Sequence, residues 1–231
     1  MSRRAGLSRE QRLIAWQSAS LLLDYPDEEL LARLDLIRDA THQLPAQVGD
    51  PLREAVAQLA ATTLPDLQAD YVATFDTRRR CNLFLTYFAH GDTRKRGVAL
   101  LRFKQTYLAS GFDLDQAGGE LPDHLCVVLE YAACVDPEQG RQLLLDHRAG
   151  LELLRMSLVE MGSRWAGVLQ AVSATLPPLR GDERDAVRAL AAAGPPEEEV
   201  GLTPYGTPQF DAALTDRGAS VDLPMPTVRG A

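Results

Sequence analysis

From Glu10 onward, apolar residues recur at helical spacing rather than in alternation. Leu13, Ile14, Trp16, Leu21, Leu22 and Leu23 share a face that ends near Tyr25-Pro26, which predicts a first helix. Pro26 is tolerated in a first turn, and Asp27, Glu28 and Glu29 suit the positive end of a helix dipole. A second helix is therefore expected from Pro26 to Thr41, with Leu30, Leu31, Leu34 and Ile37 inward. Pro45, Gly49 and Pro51 predict a connection, and a third helix follows over 52–62. A fourth starts near Pro65-Asp66 and carries Leu67, Tyr71, Val72 and Phe75.

The run from Leu83 to Phe88 has strand propensity, but a single strand in a helical chain has no partner. The segment from Arg78 to Asp92 is read instead as a buried helix or a packed connection. Asp92 or Thr93 caps the next helix, which reaches Ser110 and stops at Gly111. Leu114 to Leu121 reads as a loop. Pro122-Asp123 then opens a helix with Leu125, Val128, Leu129 and Ala132 on one face. A long helical region runs from Pro137 to Leu176, divided or bent at Gly150 and Gly162 and ended by Pro177-Pro178. A last helix covers 182–193. The expected fold is all-α, a single helical bundle domain over residues 1–193. Beyond Gly194, Pro, Gly and acidic residues recur without amphipathic period, so 194–231 is expected to be a mostly disordered tail that cannot offset its ordering entropy.

Composition narrows the function classes. Apolar residues make up 45% of the 231-residue chain and aromatics only 6%, so the core is built mainly from Leu, Val and Ala. A net charge of −8 argues against nucleic-acid binding, which needs a basic footprint. It suits a basic partner. Three cysteines, Cys81, Cys126 and Cys134, form no disulfide framework, and reduced thiols in the cytoplasm are the simpler reading. No stretch is apolar enough to span a membrane, so stable membrane insertion is not expected. Ser2-Arg3-Arg4 is similar to a twin-arginine signal, but Ser8-Arg9-Glu10-Gln11-Arg12 stands where its apolar segment belongs, and the N-terminus reads as an ordinary polar one.

Candidate chemistry is sparse. No phosphate-cradling glycine loop, metal-binding motif or nucleophile elbow is present, so neither a cofactor nor a metal is assigned. His124 and Cys126 face different sides of a helix, and Cys126 and Cys134 read as inert core thiols. Cys81 follows three arginines, which can lower a thiol pKa, and His90 is the nearest imidazole in sequence. Arg94, Lys95 and Arg96 occupy a first helical turn where the dipole disfavours cations; either Asp92 caps the turn and they are solvated or meet acidic neighbours, or they engage an anion or a carboxylate-bearing surface. Around Glu120-Leu121-Pro122-Asp123-His124, helix initiation explains everything except His124, whose protonated form a helix N-terminus disfavours.

Three blocks carry a resemblance. The first is Tyr71-Val72-Ala73-Thr74-Phe75-Asp76 with Arg79-Arg80 and Leu83 to Phe88. The second is His90-Gly91-Asp92-Thr93-Arg94 with Arg96-Gly97 and Ala99-Leu100-Leu101; the third is Glu120 to Leu125 with Val128-Leu129-Glu130. In this order and spacing they resemble the NarJ family of nitrate reductase assembly chaperones, most closely over residues 70 to 134. The resemblance implies an all-helical, cytoplasmic chaperone rather than an enzyme. It further implies binding of the N-terminal segment of the apo catalytic (alpha) subunit of respiratory nitrate reductase. Molybdenum cofactor and iron–sulfur cluster insertion then precede membrane docking, and molybdenum cofactor biosynthesis proteins are further partners.

Within that reading the client-binding candidates are Tyr71, Phe75, Leu85 and Tyr87 as apolar groove residues, and Asp76, His90, Asp92, Asp123, His124 and Glu130 as polar ones. Core packing is an equal alternative for the apolar four. Arg94, Lys95 and Arg96 are the candidate anion contacts. Two other classes stay open: a small helical enzyme using Cys81 or His124, and a nucleotide- or cofactor-binding module using the Arg94-Lys95-Arg96 turn.

Overall fold

Ser8 opens the first helix with a reciprocal cap: its hydroxyl accepts from the Gln11 N–H, and the Gln11 side chain accepts from the Ser8 N–H. The computed structural model describes residues 6–91, 93–114 and 120–193. Over these it holds eleven α-helices: α1 Arg9–Leu23, α2 Glu28–Thr41, α3 Ala46–Ala60, α4 Leu64–Tyr71, α5 Tyr87–His90, α6 Arg94–Ala109, α7 Leu125–Cys134, α8 Pro137–Asp146, α9 Arg148–Glu160, α10 Ala166–Thr175 and α11 Gly181–Ala193. A π-helical turn, Val72–Asp76, prolongs α4, and a 3₁₀ turn covers Arg79–Cys81. The expected all-α bundle is what forms. The expected tail over 194–231 and the candidate Asp92 lie outside the described residues.

The core gathers around α1, which packs on α2, α7 and α10; α10 also meets α3 and α9, and α11 lies on α9. Trp16 and Trp165 are both fully buried. Each indole N–H has a partner, Thr175 Oγ1 at 2.9 Å for Trp16 and the Leu22 carbonyl at 3.0 Å for Trp165, as burial of a polar edge requires. Two close helix contacts rest on glycine. A Cβ at Gly140 of α8 would fall 2.3 Å from the Ala132 Cβ of α7, and one at Gly167 of α10 would fall 2.4 Å from the Pro51 carbonyl oxygen of α3.

Several boundaries differ from expectation. Gly49 and Pro51 do not form a connection; they lie inside α3, which starts at Ala46. Pro45 is the N-cap, and its carbonyl accepts from both Val48 and Gly49. Gly49 fits there because a Cβ would meet the Thr41 carbonyl oxygen at 2.8 Å. The long region after Pro137 breaks at His147 rather than at Gly150, and a second time at Gly162, whose φ of +63° suits a glycine that ends a helix. The helix expected to open at Pro122-Asp123 begins later, at Leu125, with His124 as its N-cap. Asp123 therefore does not serve the first turn.

Candidate functional site

What Asp123 does instead defines the site. The strand-prone run finds a partner at Phe84, just before a turn at Leu85, in the residues preceding α7. Phe84 and His124 form an isolated antiparallel bridge. The Leu85 N–H donates to the Asp123 carbonyl at 3.0 Å, and the Leu125 N–H donates to the Leu83 carbonyl at 2.9 Å. This two-rung clasp joins the second half of the first sequence block to the third.

Asp123 is wholly buried, at 0% exposure. A carboxylate so placed must be matched by donors or cations. Its Oδ2 accepts from the Thr86 hydroxyl at 2.5 Å and from the Thr86 N–H at 3.2 Å. The Arg96 guanidinium approaches the same oxygen at 3.7 Å, donates from Nε to the Thr86 hydroxyl oxygen at 3.3 Å, and lies 5.1 Å over the Phe84 ring. Phe84 in turn meets the His124 ring edge-on at 5.1 Å. The cation in the first turn of α6 thus engages a carboxylate of its own chain. Arg94 and Lys95 are exposed.

Two neighbouring contacts brace the clasp. The Tyr107 hydroxyl of α6 donates to the Pro122 carbonyl at 2.7 Å, and the Ser20 hydroxyl of α1 donates to the Cys126 carbonyl at 2.9 Å. Burial depresses the His124 pKa, against the opposing fields of Glu120, Asp24 and Asp123. The neutral imidazole expected from the helix terminus is therefore favoured, with burial as the main cause.

Tyr71 and Phe75 belong to a different cluster. They stack with each other at 4.7 Å and both meet Trp165 edge-on, while the Tyr71 hydroxyl donates to the Leu23 carbonyl at 3.0 Å. Burial raises the Tyr71 pKa strongly. With Leu85 and Tyr87 these residues are buried, so all four lie beneath the surface rather than on it. Asp76 and Glu130 are exposed and His90 is half-buried. The π-helical turn lets Thr74 and Phe75 point inward while Asp76 stays outside.

The thiols give a mixed result. Burial pushes the Cys81 thiol up, outweighing the pull of Arg78, and its sulfur lies 3.6 Å from the Met161 sulfur. Three preceding arginines do not make it a reactive thiolate. Cys126 is buried with its pKa raised, as expected of an inert core thiol. Cys134 is exposed, which corrects its placement in the core, because it sits at the outer end of α7.

The sequence reading missed Phe84 and Thr86, and it also missed the surface of α6. That helix buries only Phe103 and Tyr107. Val98, Leu101 and Leu108 are 62%, 56% and 66% exposed, and their spacing places them on one outer face. The signal was available: a 16-residue helix with more apolar positions than one inward stripe uses.

The family described as "Nitrate reductase delta subunit" matches residues 41–171, which include α3 through most of α10. The chain belongs to that family. Within the delta-subunit family, the chain is 33% identical over 174 residues to the probable nitrate reductase molybdenum cofactor assembly chaperone NarJ of Bacillus subtilis, covering 74% of this chain and 92% of that one. It is 33% identical over 150 residues to the chaperone NarJ of Escherichia coli K12, covering 64% of this chain and 63% of that one. It is also 42% identical over 169 residues to the nitrate reductase-like protein NarX of Mycobacterium tuberculosis, covering 70% of this chain but spanning only 24% of that longer relative. A solved structure described as a putative redox enzyme maturation protein from Archaeoglobus fulgidus aligns over 83% of this chain and 98% of its own, with a TM-score of 0.49 and 20% identity.

Proposed function

We propose that this chain is a system-specific chaperone for the apo catalytic (alpha) subunit of a respiratory nitrate reductase. It binds that subunit's N-terminal segment and holds it open while molybdenum cofactor and the iron–sulfur cluster are inserted, before the subunit docks at the membrane. Molybdenum cofactor biosynthesis proteins deliver to the complex, and the work takes place in the cytoplasm. Family membership supports the reading, because two of its relatives are named as molybdenum cofactor assembly chaperones.

The observation that carries the proposal is the outer face of α6. Val98, Leu101 and Leu108 offer an apolar row with no covering element among the described residues, which suits the apolar face of an amphipathic leader helix. The clasp of Asp123, Thr86 and Arg96 holds the start of α6 in place. His90, Asp76 and Glu130 serve as polar selectors, together with Asp92 and His124. Tyr71 and Phe75, packed on Trp165, and the buried Leu85 and Tyr87 act from the core rather than in contact with the client. A chain of net charge −8 draws a basic leader and speeds encounter.

Affinity capture with the tagged full chain from nitrate-respiring cells tests this. The expected catch is the immature catalytic subunit, lost with the double substitution Leu101→Ser and Leu108→Ser. Recovery of no molybdoenzyme subunit, or equal recovery with the double variant, overturns the proposal.

A further inference from the structure

A second feature lies away from the clasp. Residues of α8, α9, the end of α10 and α11, with the N-terminal segment, surround a cavity of about 660 Å³, a size suited to a small molecule. Five arginines line it, Arg12, Arg141, Arg148, Arg155 and Arg184, against one acid, Glu152.

The charges at its floor do not balance. Glu152 is buried and bridges two guanidinia, with Arg148 Nη2 at 2.8 Å and Arg155 Nε at 2.6 Å, and it also accepts from the Ser173 hydroxyl at 2.5 Å. One carboxylate thus serves two cations. Arg148 has only 7% of its side chain exposed, yet its Nε and Nη1 have no hydrogen-bond partner among the described residues. Arg148 is also the first residue of α9, where the helix dipole adds to the positive field. Glu183 of α11 is the remaining acid whose field acts on Arg148, and its own carboxylate accepts from the Arg180 N–H at 2.6 Å. A buried cation with unmatched donors is costly unless an anion completes it.

We infer that this cavity is a binding site for a phosphorylated small molecule, its phosphate held by Arg141, Arg155 and Arg184 in the positive field of the buried Arg148. Guanidinium forks match phosphate oxygens in pairs, and several around one pocket suit a multiply charged anion better than a single carboxylate. Leu7, Leu176, Pro177 and Leu179 also line the cavity and offer apolar surface for the organic body of the ligand. The site is separate from the Arg94-Lys95-Arg96 turn and does not depend on the client-binding proposal.

Calorimetry on the full chain tests this with inorganic pyrophosphate, phenyl phosphate and the uncharged control phenol, at constant ionic strength. Saturable one-to-one binding of phenyl phosphate is expected, with pyrophosphate also bound and phenol not. The double variant Arg141→Ala and Arg184→Ala, whose side chains lie at the rim and not in the buried bridge, should weaken binding by about tenfold or more. Arg148→Lys should weaken it further if it folds. Lys95→Ala should leave it unchanged. Absence of saturable binding, an affinity unmoved by the rim double variant, or equal loss with Lys95→Ala would each overturn the assignment.

Discussion

Asp123 and Thr86 are joined twice, through the threonine hydroxyl at 2.5 Å and its N–H at 3.2 Å, although 37 residues separate them. Around this pair the Leu83–Leu85 segment meets the start of α7, and Arg96 of α6 closes over both. The contact turns three sequence-separated blocks into one local structure. Asp123 is buried at 0% exposure, so it lies beneath the surface in this fold.

Removing the carboxylate should therefore cost stability. Asp123→Ala removes the acceptor of both Thr86 hydrogen bonds and the ion-pair partner of Arg96, and should destabilise the fold by about 3 kcal/mol, with Asp123→Asn milder because the amide oxygen still accepts from Thr86. Denaturant titration measures it. A loss below about 0.5 kcal/mol for Asp123→Ala, the range of an ordinary surface change, would contradict the role of the clasp.

Histidine 124 supplies a pH dependence. Its pKa in the folded chain lies below the usual 6.5, mainly through burial. The unfolded chain therefore binds the proton first, and the stability that neutral His124 contributes is present above that usual value and lost as pH falls below it. The slope of stability with pH just below 6.5 should flatten in His124→Gln. An unchanged slope would assign the acid sensitivity to other groups.

The α7–α8 contact should resist even one methyl group. Gly140→Ala places its Cβ 2.3 Å from that of Ala132, so the helices must part, at a cost of about 1–3 kcal/mol despite the better helix propensity of alanine. A rise in melting temperature would show that the packing is looser than described.

The domain boundary is a proposal that a truncation can check. A chain ending at Ala193 should melt within a few degrees of the full-length chain, because α11 and its packing on α9 are kept. A large drop in melting temperature would place residues beyond 193 in the folded unit.

Much of this architecture was legible from periodicity alone. The apolar faces of α1, α2 and α4 are carried by residues such as Trp16, Leu34 and Leu67, whose spacing admits one structure. Proline misled at Pro51, which lies inside α3; its carbonyl oxygen is where Gly167 lets α10 come close. The strand propensity of the Leu83–Phe88 run produces only an isolated bridge at Phe84, whose partner, His124, could not be found from local pattern. Asp123 reads as a helix-starting acid until Thr86 is brought beside it. Arg148 and Glu152 stand at i, i+4 spacing, but nothing local marks them as buried, which follows from α10 and α11 packing on α9.

The outer row of α6 carries the central claim, and calorimetry tests it most directly. Wild-type chain titrated with a peptide copying the N-terminal segment of the nitrate reductase catalytic subunit should bind with a dissociation constant of about 1 μM or tighter, near −8 kcal/mol. Leu101→Ser with Leu108→Ser should abolish that binding while shifting stability by less than about 1 kcal/mol, since both side chains are exposed. No heat of binding for the wild-type chain at about millimolar peptide, or undiminished affinity in the double variant, would contradict the account.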